Sequence, residues 1–170
     1  MSLRWLYDRT IWLYGTTMSK SDPSAETTLE LQDRMMAFVR AFGLHQPDQT
    51  PCGQPVSVSE AHALAELIRD QPLTQQELGL RLRLEKSTIS RLVGLLEGRD
   101  WIERTPNPND GRSVQLTLTK TGTRMAKQIA TAREKTFSRL LESIPKAQRP
   151  NVLAALKTLT EALHEAQQPA

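Results

Sequence analysis

Residues 74–119 read TQQELGLRLRLEKSTISRLVGLLEGRDWIERTPNPNDGRSVQLTLT, and the fold turns on how this run is parsed. Thr74 and Glu77 have the spacing of a capping box, in which each side chain satisfies a backbone donor left open at a helix start. A helix is therefore expected from Thr74. Leu78, Leu80, Leu82 and Leu84 alternate as a strand would. The capping pair before them and the helix after them override that reading, because no partner strand is available and Leu78 and Leu82 also stand at i, i+4. Leu80 then falls off the stripe and is expected to be partly exposed. After Leu84, Glu85-Lys86-Ser87-Thr88 opens a second helix, whose Ile89, Leu92, Val93 and Leu96 fall at i, i+3, i+4 and i+7. Its opposite face carries Lys86, Ser87, Ser90 and Arg91. Small hydroxyls and cations near the amino end of a helix suit phosphates and base edges in a major groove.

A two-stranded hairpin is expected next, with strands at Trp101–Thr105 and Ser113–Leu118. In the second, Val114, Leu116 and Leu118 point inward, and Ser113, Gln115 and Thr117 outward. Pro106, Asn107, Pro108, Asn109, Asp110 and Gly111 between them are all turn formers, which excludes a helical tip. Arg112 stands at the end of this tip, two residues after Asp110, whose carboxylate is placed to hold the guanidinium. An arginine on a projecting tip suits a narrow, electronegative minor groove.

Asp110-Gly111-Arg112, followed by Leu116-Thr117-Leu118-Thr119 and Gly122, resembles the wing signature of the MarR family of winged helix-turn-helix transcription regulators. Thr74 to Leu78 and Ser87 to Val93 are similar to the same family's two DNA-binding helices. Asp100 is a departure, standing where the family usually has glycine. Asp tolerates the left-handed backbone better than most residues, so little disturbance is expected. The resemblance implies a mainly α protein with a small β-hairpin wing, a winged helix-turn-helix lobe plus N- and C-terminal dimerisation helices. It also implies a homodimer on a palindromic double-stranded DNA operator, and a cytoplasmic repressor that answers to a small aromatic effector. The residues placed against DNA are Thr74, Gln75, Lys86, Ser87, Thr88, Ser90, Arg91, Asn109, Asp110 and Arg112. Effectors of relatives bind between the first helix, the helix after Ser57 and the DNA-binding lobe. His62 is the candidate contact there, against a plainer reading as a surface residue.

Along the chain, residues 1–23 read as a leader, holding Trp5, Tyr7, Trp12 and Tyr14 among eight aromatic residues. They are expected to be an extension before Met18 or an extra helix, and they lack the apolar core of a secretory signal. Residues 24–56 form a dimerisation helix with a stripe of Leu31, Met35, Phe38 and Phe42, then a loop rich in proline and glycine. Residues 57–119 are the DNA-binding lobe. It opens with a second capping box, Ser57 and Glu60, and a helix carrying Leu64, Leu67 and Ile68 that ends at Asp70 and Pro72. Residues 120–170 supply a long helix to about Ser143, a break at Pro145 and a last helix from about Ala147 to Ala166. Met125, Ile129, Ala132, Phe137, Leu140 and Leu141 line the first of these, and Val152, Leu153, Leu156, Leu159 and Leu163 the second. This is more apolar surface than one small lobe buries, so a second copy is expected to cover it.

The chain is 38% hydrophobic and 24% charged, with a net charge of +3. No apolar run approaches the roughly 18 residues of a membrane span. Residues 74–146 carry fourteen basic and eight acidic side chains, residues 1–73 six and nine. The positive excess thus coincides with the helices and hairpin above, as a polyanion-binding face requires. The single cysteine, Cys52, excludes an internal disulfide. It reads as a plain thiol, with a thiol-based redox sensor as the sharper alternative. No phosphate loop, metal-ligand spacing or nucleophile and base pair occurs, so no enzyme, cofactor or metal is expected. The competing non-enzymatic reading is a winged-helix adaptor that binds protein and not DNA.

Overall fold

A computed structural model describes residues 23–108 and 110–166, side chains at 110–112 excepted. The leader of residues 1–22 and Asn109 lie outside the described residues. The chain divides into two compact units, residues 1–45 and 46–170.

The first unit contributes α1, Pro23–Phe42. Leu29, Leu31, Met36 and Phe38 are all exposed on it. The rings of Phe38 and Phe42, one turn apart, stack at 5.5 Å. Helical periodicity has made an apolar stripe here, with a face wide enough to seat another helix.

The second unit runs α2 (Val58–Arg69), β1 (Leu73–Thr74), α3 (Gln75–Leu82), α4 (Lys86–Gly98), β2 (Ile102–Asn107), β3 (Asp110–Leu118), α5 (Lys120–Ser143), a single 3-10 turn (Lys146–Gln148) and α6 (Arg149–Ala166). Both capping boxes form. Ser57 and Glu60 close the start of α2, and Thr74 and Glu77 that of α3. Alternation at Leu78–Leu84 yields to the helix because its first turn is capped at both donors. Leu78 is fully buried, whereas Leu80 is 72% exposed, more than a partly exposed position. The stripe on α4 goes inward as spaced, with Ile89, Leu92, Val93 and Leu96 all in the core. Leu64, Leu67, Leu73, Ile102, Leu116 and Ile129 complete it from α2, the sheet and α5. Ile68 turns out to solvent.

The sheet differs from the expected hairpin in three ways. It has three antiparallel strands in the order β1-β3-β2, because Leu73 and Thr74 pair with Leu116 and Gln115. Two residues are too few to leave a periodic signal, so β1 was not legible. Both hairpin strands also run further, to Asn107 and from Asp110, taking Pro106 and Asn107 out of the turn. Pro106 is tolerated because β2 is an edge strand, where a missing N–H costs little. Finally Val114 is 37% exposed, although Leu116 beside it is fully buried. Alternation sets which side Val114 is on, but by that point the hairpin has run past the core.

Asp100 adopts φ 56, the left-handed conformation expected of it. Its carbonyl accepts from Thr119 Oγ1 at 2.6 Å. At the start of α5, Gly122 lies so close to β2 that an added Cβ would stand 1.8 Å from the Trp101 carbonyl oxygen. That close approach explains the glycine. Beyond Ile129, α5 leaves the core: Phe137, Leu140 and Leu141 are exposed, as are Leu153, Leu156 and Leu163 on α6.

Candidate nucleic-acid interface

The sequence-predicted residues fall into three groups. Gln75 opens α3 and Lys86 opens α4, and both line one cleft of about 400 Å³ with Gln76, Gly79, Leu80, Leu84 and Ile89. The amino ends of two helices therefore meet at one depression. Glu85, the residue capping α4, makes no side-chain hydrogen bond to its first turn. The Thr88 N–H donates to the Glu85 carbonyl at 2.9 Å, so it is the Lys86 and Ser87 N–H groups that no side chain caps, and the helix dipole favours negative charge there. α3 differs: Thr74 accepts from the Glu77 N–H at 3.2 Å while Glu77 accepts from the Thr74 N–H at 2.7 Å. These bonds from Thr74 hold the Glu77 carboxyl below its usual range. Thr74 is thus occupied as a cap.

Ser87, Thr88, Ser90 and Arg91 form the second group, all exposed on the side of α4 away from its buried stripe. Arg91 Nε donates to the Ser87 carbonyl at 3.4 Å, which lays the guanidinium along the helix. The third group is the hairpin tip. Asp110 and Arg112 belong to β3, and Asn107 pairs in register with Asp110. The proposed hold of Asp110 on Arg112 involves side chains outside the described residues, as does the contact from Asn109. Below the tip, Asn107 Nδ2 donates to Ser113 Oγ at 2.8 Å and ties the strands together.

Several ion pairs that position these groups were not singled out from sequence. Arg81 joins α3 to α2 through Glu66 at 3.5 Å and through Asp70. Glu60 is almost wholly buried, and its Oε1 lies 3.1 Å from Arg99 Nε while Oε2 accepts from the Ser57 N–H. The Arg99 guanidinium also lies 4.8 Å from the centre of the Trp101 ring. One arginine thereby links the start of α2, the end of α4 and the root of β2. Arg104 Nε donates to Glu97 Oε2 at 2.9 Å, joining β2 to α4. Their signal in the sequence is faint, since the partners lie on separate elements that only the packing of α2 against α3 and α4 and the turn at Asp100 bring together.

His62 and Cys52 lie away from this surface. His62 is exposed on α2, yet partial desolvation of its ring, followed by the Arg133 charge, keeps its pKa below the ordinary histidine value against a smaller opposing pull from Glu66. Cys52 is half-buried, with Thr50 Oγ1 at 3.0 Å from its sulfur. Among the described residues no cluster of His, Cys, Asp or Glu fit for a metal ion occurs.

The sequence matches the model of the MarR family over residues 54–113, which is α2 through the tip of the hairpin. It is 25% identical over 128 residues to an uncharacterised HTH-type transcriptional regulator of Mycobacterium bovis, spanning 75% of this chain and 86% of that one. Over residues 54–113 the chain carries the MarR-family pattern. A second relative, an uncharacterised HTH-type transcriptional regulator of Mycobacterium leprae, is 24% identical over 144 residues, 85% of this chain and 97% of its own. In fold, the chain is similar to Streptococcus pneumoniae FabT, whose structure is in complex with DNA. The TM-score is 0.62 at 18% identity, covering 85% of this chain and 96% of that one. The protein is a MarR-type helix-turn-helix transcription regulator, and α3, α4 and the β2–β3 wing are its winged helix-turn-helix. No described helix is long and apolar enough to cross a membrane.

Proposed function

We propose that this MarR-type regulator is a homodimeric, ligand-responsive, cytoplasmic repressor that binds a palindromic operator. The observation that carries the DNA reading is the convergence of the α3 and α4 amino ends on one cleft, beside an exposed polar and cationic face of α4. In this reading α4 lies in a major groove. Ser87, Thr88, Ser90 and Arg91 face base edges and phosphates, while Gln75, Lys86 and the open backbone donors grip the backbone. Arg112, with Asn109 and Asp110 beside it, enters the adjacent minor groove from the wing. Thr74 contributes by fixing the start of α3.

Dimerisation is supported by the apolar faces left uncovered on α1, the end of α5 and α6. Burying them against a second copy would hide on the order of 2,000 Å². Two-fold symmetry then separates the half-sites by about one helical turn, roughly 10 bp. A small aromatic effector near His62 would act by binding unequally to two spacings of the reading heads.

The test is selection of duplexes from a random library by the full chain, followed by binding assays at several salt concentrations and light scattering of free and bound protein. A dimer on a palindrome with steep salt dependence is expected. Arg112→Ala should weaken that binding by about 1 to 3 kcal/mol and relax preference at the flanks. A monomer indifferent to every duplex would refute the reading and favour the protein-binding adaptor.

A further inference from the structure

The inward side of the wing changes character along its length. Register pairs Ile102 with Leu118, Arg104 with Leu116, and Pro106 with Val114, so these residues share one face. Ile102 and Leu116 are buried, Leu118 is partly so, and Val114 is exposed. The apolar layer therefore ends at the Arg104 step. From there outward, packing does not fix the angle between wing and reading helix.

At that step Arg104 Nε donates to Glu97 Oε2 at 2.9 Å, from the inward face of β2 to the last turn of α4. The side chains are 32% and 46% exposed, so the pair sits at the mouth of the crevice between helix and wing. Four residues further out is the tip, about 13 Å away at strand rise. A swing of about 10° at Arg104 moves the tip by about 2 Å, enough to carry a side chain out of hydrogen-bond range.

We propose that Arg104 and Glu97 form a strut that sets the pitch of the wing against α4, making them specificity-determining positioning residues for the flanking base pairs. The inference rests on the DNA reading above. The strut fixes the offset between the major-groove helix and the minor-groove tip without touching a base. Because Arg104 shares a face with Leu116, its guanidinium is directed toward α4, unlike Glu103 and Thr117 on the outer face, which bond to each other at 3.2 Å.

The experiment compares the wild type, Glu97→Gln, Arg104→Glu and the double variant Glu97→Arg/Arg104→Glu. The probes are a duplex selected by the wild type and a copy with only its flanks scrambled. The wild type should prefer the intact flanks by about tenfold. Glu97→Gln and Arg104→Glu should lose most of that preference, and the double variant, which restores an ion pair of opposite polarity, should recover it. Urea midpoints track folding, and a loss of preference in a variant as stable as the wild type supports the strut. Unchanged flank preference in Glu97→Gln overturns it. So does an equal loss on both probes in Arg104→Glu and the double variant with a salt slope lower by about one, which marks Arg104 as a phosphate contact. If the wild type selects no duplex, the DNA reading itself fails and takes the strut with it.

Discussion

Replacing Gly122 with alanine should loosen the joint between the wing and α5. The added Cβ would stand 1.8 Å from the Trp101 carbonyl oxygen, 2.7 Å from its carbonyl carbon and 2.9 Å from its Cα. These are backbone atoms, so no side chain can swing aside. Reaching even 3.0 Å from the oxygen requires a shift of 3.0 − 1.8 = 1.2 Å. That oxygen accepts the Thr119 N–H at 3.1 Å, and Trp101 and Ile102 are buried around it. Overpacking of this kind costs about 1–3 kcal/mol, and losing the hydrogen bond about 1 kcal/mol. Alanine's better helix propensity returns up to about 1 kcal/mol. The net expectation is destabilisation by about 1–3 kcal/mol, a large share of the roughly 5–15 kcal/mol that holds a domain together. Gly94 is the matched control: it lies within α4 with nothing inside 4 Å of an added Cβ. Gly94→Ala should stabilise by about 0.5–1 kcal/mol. Urea unfolding followed by circular dichroism, at one protein concentration so that self-association is constant, measures both. If Gly122→Ala unfolds within about 0.5 kcal/mol of the wild type, as a neutral surface change would, the argument from close approach is wrong.

Arg99→Ala should cost about 2 kcal/mol, since it leaves the buried Glu60 carboxylate without its cation and strips the Trp101 ring. An unfolding midpoint equal to that of the wild type would show that the pair contributes nothing. Thr74→Ala should cost about 1 kcal/mol through loss of the α3 cap. The cap also makes stability fall as pH drops below the usual Glu value of 4.5, because Glu77 resists protonation when folded and accepts it when unfolded. The variant should show a shallower acid limb in a pH series of melts; a limb as steep as that of the wild type would exclude the cap as its source. His62 behaves similarly at higher pH. Its folded pKa lies below 6.5, so the unfolded chain takes up a proton first and stability declines as pH falls from 6.5 through the folded value. His62→Asn should flatten that decline in melts between pH 7 and 5, and an unchanged slope would assign it to other groups.

By itself the sequence determined the helices, their caps and the inward stripe of α4, because these depend on residues within about four positions of one another. The same locality made the wing legible from its turn formers and placed Ser87, Thr88, Ser90 and Arg91 opposite the buried side of their helix. The tertiary structure decided what depends on meeting across the chain. Leu73 and Thr74 become a strand only because Leu116 and Gln115 stand beside them. Val114 is exposed though its alternation is perfect, since period two assigns a side and only the extent of the core assigns burial. Arg99, Glu97 and Arg104 look like ordinary surface charges along the chain, and Glu60 like a helix cap and nothing more. The turn at Asp100 brings Arg104 back onto α4 and Trp101 against Arg99, while the packing of α2 on α4 brings Glu60 to the same guanidinium. Ion pairs between separate elements carry no periodicity, so folding alone reveals which charges hold the wing to the reading helix.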